Sequence, residues 1–269
     1  MIAVVGLGLM GASLAGAIRQ ARPEVQVLGV ESDPAVLLKA VDRGYVTAGG
    51  DDLAITAGAD LTVLAVPIGA MRAVLAALPK GGLVTDLAST KRSVLEWSAE
   101  AGVDLVGGHP MCGSERSGID AADPNLYQGA AWVLTRGEPR VEELVRAVGA
   151  VPVVMDAERH DRVVAGVSHA AFLLAAAYML SAAASPDWPD LSRLAASGFR
   201  DMTRLAAGSP EMYTDIARTN ADNAALWLAA VEAEIAKVRR HLEAGDARLA
   251  ELFEEAQQAR ERWERERRA

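Results

Sequence analysis

The chain has 269 residues, 51% of them hydrophobic, and a formal net charge of -9. That apolar content at that length supports a substantial core and excludes a disordered chain; the acidic balance, with no basic stripe interleaved with aromatics, argues against a nucleic-acid partner. A single cysteine, Cys112, excludes a disulfide framework or a cysteine-built zinc site and fits a reducing, cytoplasmic compartment, and the apolar start lacks the charged leader of a signal peptide.

In chain order, MIAVVG predicts a first strand. Gly6, Gly8 and Gly11 follow it as G-x-G-x-x-G, with Leu7, Leu9 and Met10 between them, and open a helix over ASLAGAIRQ. A strand, a tight glycine turn and a helix N-terminus form a seat for a pyrophosphate. VQVLGV predicts the second strand, and Glu31 closes it where an acid accepts hydrogen bonds from adenosine ribose hydroxyls; Asp33 is near enough to share that role. An acid there repels a 2'-phosphate, so NAD is expected over NADP.

LTVLAVP, GLVTDLA and VDLVGG predict further strands of a parallel sheet covered by helices, an α/β pattern. Val66 and Pro67 end the first of them, and DLASTK (86 to 91) ends the second, at the strand ends where such sheets bind ligands. Ser89 and Thr90 fit equally well as a helix N-cap pair. The third leads into GGHPMCGSERSG (107 to 118), which carries His109 into the same crevice on a thin turn. Its glycines 107, 108, 113 and 118 are expected to keep the backbone close to a substrate.

WVLT and VPVVM are the last strand signals, and a domain boundary is expected at 155/156. Residues 163 to 184 carry no charge over a bilayer-crossing length, but their alanine content and His169 predict a helix buried between protein surfaces, with no membrane. The terminal stretch ELFEEAQQARERWERERRA reads as a solvated helix with acid and base pairs four residues apart.

These motifs, together with GLGLMGASLA (6 to 15), HDRVVAGVSHAA (160 to 171) and GFRDMTR (198 to 204), resemble those of the prephenate or arogenate dehydrogenases of tyrosine biosynthesis, over nearly the whole chain. The resemblance implies a Rossmann-type doubly wound sheet (1 to 155) followed by an all-α dimerisation domain (156 to 269), forming a homodimer. It implies NAD-dependent oxidation of a cyclohexadienol with loss of carbon dioxide. It implies His109 as the base, Ser89 orienting the substrate hydroxyl, and substrate contacts from Arg204, His169, Ser168, Glu115 and Lys91. Asp161 and Glu115 resemble acids of an ionic network at the substrate entrance. Cofactor contacts are implied for residues 6 to 11, Glu31, Val66 and Pro67. Many family members carry a second histidine where this chain has Phe172, which leaves prephenate and arogenate both open as substrates. Cys112 reads as filler.

Overall fold

Five of the predicted apolar runs line up as neighbours in one parallel sheet. The strands are β1 (Ile2–Val5), β2 (Val27–Val30), β3 (Ala48–Gly50), β4 (Leu61–Leu64), β5 (Val84–Asp86) and β6 (Leu105–Val106), in the order β3-β2-β1-β4-β5-β6. This computed structural model describes residues 1–113 and 116–268. Helices α1 (Leu9–Ala21), α2 (Pro34–Asp42), α3 (Ile68–Ala77) and α4 (Arg92–Ala101) make the crossovers.

Successive side chains on a strand point to opposite faces, and a parallel sheet covered on both sides must bury both sets. Val4, Val63 and Val106 accordingly join one core cluster with Leu14 and Ile18 of α1. Val5, Leu64 and Leu105 join another with Ile68, Met71 and Leu75 of α3 and Val94 of α4. The chain reverses its winding direction between β1 and β4, which opens the crevice of a doubly wound fold at their carboxyl ends.

A second, smaller sheet follows. It has the order β7-β8-β9, with β7 (Gly108–Pro110) antiparallel to β8 (Ala131–Leu134) and β8 parallel to β9 (Val151–Val154); α5 (Pro139–Ala147) links the last two. His109 therefore sits on a strand, opposite Val133, where the sequence predicted a turn.

The helical region begins with α6 (Ala157–Val164), passes through a π-helical turn at Ala165–His169 and continues as α7 (Ala170–Ala183). Then come α8 (Trp188–Leu194), α9 (Ser197–Thr203), a short turn at Arg204–Ala207, α10 (Pro210–Thr219), α11 (Ala221–Ala244) and α12 (Arg248–Arg268). Two of its carboxylates cap helices of the large sheet. Asp215 of α10 accepts from the Gly69 amide of α3 at 2.8 Å, and Asp161 of α6 accepts from the Lys91 and Arg92 amides at the start of α4 at 2.8 and 3.0 Å. Such charge-to-amide bonds at helix N-termini favour this docking. They also replace the expected Ser89/Thr90 cap: Lys91 is the N-cap residue, and the Thr90 hydroxyl bonds Thr219 at 2.9 Å.

The segment 157–183 is long and apolar enough to cross a membrane, and a third of its most apolar stretch is buried. Within the single chain the expected burial is thus partial, with Tyr178 and Leu180 exposed. The chain divides into two units, Met1–Asn223 and Ala224–Ala269. The second consists of most of α11 and of α12. It carries acid and base pairs four residues apart, such as Arg260 with Glu264, and exposes Phe253 and Trp263.

Candidate active site

The glycine turn has one geometric reason for each glycine. Gly6 has φ +89°, a left-handed conformation; a Cβ on Gly11 would lie 1.9 Å from the Gly6 carbonyl oxygen; a Cβ on Gly8 would meet nothing within 4 Å. The first two pack the turn tightly, and the third leaves space above the N-terminus of α1. That terminus has no side-chain cap and no acid in its first turn, so its amides remain available to an anion. Leu9 and Met10 begin the helix. Leu7 plays another part than cofactor contact: its side chain is fully buried and its amide donates to Glu31 Oε2 at 2.8 Å.

Glu31 Oε1 accepts from the Asp33 amide at 3.1 Å and from the Ser32 hydroxyl at 3.2 Å, which fixes the carboxylate beside the turn. Asp33 does not share its role, because its carboxylate caps α2 through the Ala35 amide at 2.8 Å. Val66 packs against the core and Pro67 forms the N-cap of α3, both at the rim of the crevice.

DLASTK and the glycines after β6 explain one another. Asp86 ends β5 fully buried. Its Oδ1 accepts from the Gly108 amide at 2.9 Å, and its Oδ2 accepts from the Ala88 amide at 2.9 Å and from the Lys91 ammonium. Lys91 Nζ also donates to the Gly108 carbonyl at 2.6 Å. Both backbone groups of Gly108 are thereby clamped, one residue before His109.

This corrects two expectations. Lys91 does not face a substrate: it has no exposed surface, and its ammonium is turned into the sheet to neutralise Asp86. Gly107 and Gly108 are small because of protein packing, since a Cβ would lie 2.8 Å from Thr135 Cγ2 or 2.5 Å from the Asp86 carbonyl oxygen. Gly113 and Gly118 do take positive φ, as a sharp turn requires.

His109 is buried, with Nδ1 2.9 Å from Nε2 of His160, and His160 Nδ1 lies 2.7 Å from Asp161 Oδ1. With one N–H on each ring, the donors have a fixed direction. The carboxylate only accepts, so it takes the Nδ1 proton of His160, whose Nε2 then accepts from His109 Nδ1–H. The chain of bonds leaves the Nε2 lone pair of His109 for a reactant. Burial, with His160, Lys91 and His169 nearby acting in the same direction, holds the His109 pKa well below the ordinary histidine value. Burial pushes the Asp161 carboxyl up, but the His160, Arg92 and Lys91 donors outweigh it and lower its pKa. Asp161 is thus a buried anchor rather than an acid at an entrance.

His169 joins this cluster through the π turn. In a regular helix, residues nine positions apart, such as His160 and His169, fall on opposite faces. The π turn takes up one extra residue, about 100° of rotation, and both rings end fully buried on the protein side. Ser168 lies in the same turn, half-buried. Ser89 is half-buried, three residues past the end of β5. Arg204 is exposed on the turn Arg204–Ala207, and Glu115 lies outside the described residues. Phe172 is a core residue, stacked on Tyr213 with ring centres 4.0 Å apart. Burial raises the Cys112 pKa to about 11, so the residue is an inert thiol packed against the core.

Sequence reasoning missed His160 and Asn220, both fully buried. For His160 the available signal was the His-Asp pair at the head of an amphipathic helix. Asn220 gave no sign, because Arg92, Asp161 and His169, which it joins, lie far away along the chain.

Strand order, glycine turn and the acid after β2 together define a dinucleotide-binding protein of the Rossmann class. Residues 14–155 match the family described as prephenate dehydrogenase, nucleotide-binding domain, and residues 156–258 match prephenate dehydrogenase, dimerization domain. The chain belongs to the prephenate dehydrogenase family. It is 35% identical over 229 residues to the prephenate dehydrogenase of Lactococcus lactis subsp. cremoris, a match that covers 81% of this chain and 64% of that protein's length. Among solved structures, prephenate dehydrogenase from A. aeolicus, in complex with hydroxyphenyl propionate and NAD+, superposes with a TM-score of 0.89 at 28% identity, covering 97% of each chain. Synechocystis arogenate dehydrogenase gives 0.81 at 30% identity, covering 97% of this chain and 99% of the other.

Proposed function

We propose that the chain is an NAD-dependent dehydrogenase that oxidatively decarboxylates prephenate to 4-hydroxyphenylpyruvate in tyrosine biosynthesis. The observation that carries this reading is the bonded series Asp161, His160, His109, which ends in a free imidazole lone pair. The glycine turn and Glu31 would hold NAD, which would supply the acceptor for the hydride on the ring carbon that bears the hydroxyl. His109 Nε2 takes the hydroxyl proton and returns it to the same oxygen as the ring carboxylate leaves as carbon dioxide and the ring becomes a phenol. Ser89 orients the hydroxyl, Arg204 binds a substrate carboxylate in the bidentate manner that suits arginine, and Ser168, His169 and Glu115 complete the substrate contacts. Residues 1–155 hold the cofactor. Residues 156–269 supply substrate contacts and pair two copies into a homodimer, a reading supported by the exposed Tyr178, Leu180, Leu194 and Met202. The compartment is the cytoplasm.

Glu31 favours NAD over NADP, since it repels a 2'-phosphate. Glu31→Ser is expected to narrow the kcat/KM gap between the two cofactors by about tenfold or more. Equal use of both by the unaltered enzyme would overturn the assignment.

The activity is tested by following NADH formation with prephenate and arogenate side by side. Turnover of prephenate is expected. Turnover of arogenate alone would place the chain with the arogenate dehydrogenases, and turnover of neither would refute the reading.

A further inference from the structure

Asn220 is bonded on every side. Its Oδ1 accepts from the Arg92 guanidinium at 3.0 Å and from Asn223 Nδ2 at 2.8 Å; its Nδ2 donates to the Asp161 carbonyl at 2.7 Å and lies 3.2 Å from His169 Nδ1. A guanidinium only donates and a carbonyl only accepts, so the amide has one possible orientation. Arg92 is itself held by Asp161 at 3.3 Å and by Asp222.

It follows that Nδ2 donates to His169 Nδ1. That nitrogen is an acceptor, and in the neutral ring the single proton sits on Nε2. His169 is fully buried, and burial lowers its pKa to about 4, so the ring is neutral at physiological pH. Yet Nε2 has no hydrogen-bond partner. A buried N–H without an acceptor loses its bonds to water and gains nothing in return. Both ring nitrogens of the neighbouring His160 are engaged, and the open lone pair on His109 Nε2 is not within hydrogen-bond distance of the His169 Nε2–H.

We infer that Asn220 is a positioning residue that fixes His169 as an Nε2–H donor, and that this proton is given to an acceptor oxygen of the substrate held beside His109. The inference rests on the activity proposed above and adds to it a neutral donor whose tautomer is set by an amide in α10's terminal turn. A neutral donor suits this position: a second cation beside His109 would weaken it as a base.

Histidine 15N spectra of the full-length enzyme test the tautomer without reference to turnover. His169 is expected to show a protonated Nε2 and an unprotonated Nδ1, and Asn220→Asp to reverse the pattern, because a carboxylate accepts from Nδ1. Adding hydroxyphenyl propionate with NAD+ should move the Nε2–H proton downfield. Asn220→Asp and His169→Leu are each expected to raise KM for prephenate on the order of 10- to 100-fold, the worth of one hydrogen bond to a charged acceptor, with KM for NAD within about twofold. His169→Gln, which places an amide N–H near the Nε2 position, should recover most of the loss. A wild-type ring protonated on Nδ1, an Nε2–H signal unmoved by the analogue, or an unchanged KM in His169→Leu would overturn the inference. An enzyme inert towards both prephenate and arogenate but with the expected spectra would remove the activity and leave the role of Asn220 standing.

Discussion

His109→Asn is expected to lower kcat by roughly 10² to 10⁴ while leaving NAD affinity intact, the usual range for loss of a general base. Asparagine has no basic nitrogen, so the hydroxyl proton has nowhere to go within the buried site. The glycine turn, which lies at another strand end, is untouched. The pH profile makes the assignment sharper. A base works only when unprotonated, so activity falls as pH drops through its pKa, and burial holds that pKa well below the ordinary 6.5. The rate should therefore stay level as pH falls through 6.5, with the acid limb appearing only below it. A variant with near-normal turnover would return His109 to a structural role, and an acid limb at or above 6.5 would mean that the isolated cluster is more open to water than its geometry implies.

Lys91→Met is expected to cost about 3 to 5 kcal/mol of stability, the range for removing one partner of a buried ion pair. Asp86 would be left buried without its cation, and the Gly108 carbonyl would lose its donor. Adding Asp86→Asn should restore part of the stability, since the uncompensated charge is then gone, and the departure from additivity measures the coupling. Urea denaturation of the single and double variants measures this. Because Lys91 faces the sheet, KM for prephenate should change much less than kcat, which depends on where Gly108 holds His109. Unchanged stability together with a tenfold rise in KM would place the ammonium against substrate instead.

The strands that carry the large sheet were legible because runs such as IAVV and LTVL are short, apolar and β-branched, which suits burial on both faces. Two others were not. AGG at 48–50 and GHP at 108–110 have the composition of turns and are strands only because neighbouring backbones pair with them. The glycine turn and the Glu31 beside it could be placed from motif and topology alone, whereas His109 was expected on a turn and lies in a strand. Lys91 was assigned to the substrate on the resemblance alone, and nothing local reveals that Asp86, five residues earlier, will be buried with it. His160 meets His109 and Asn220 meets His169, each 51 residues away along the chain, a distance over which periodicity carries no information. The exposed face of α7 reflects a different limit, since a run of alanine and leucine does not say which of its sides a neighbour will cover.

The π turn at Ala165–His169 makes the site sensitive to residue number as well as to residue type. Substitutions within it alter one side chain at a time. Inserting a further residue there, or closing the turn into regular α-helix at its present length, would rotate everything beyond by about 100°. His169 would turn off the face it shares with His160, and Phe172 would leave its stack on Tyr213. Deleting one residue does the opposite: the helix closes into a regular spiral with the later faces unmoved, so a relative one residue shorter would keep its donor in place on a plain helix.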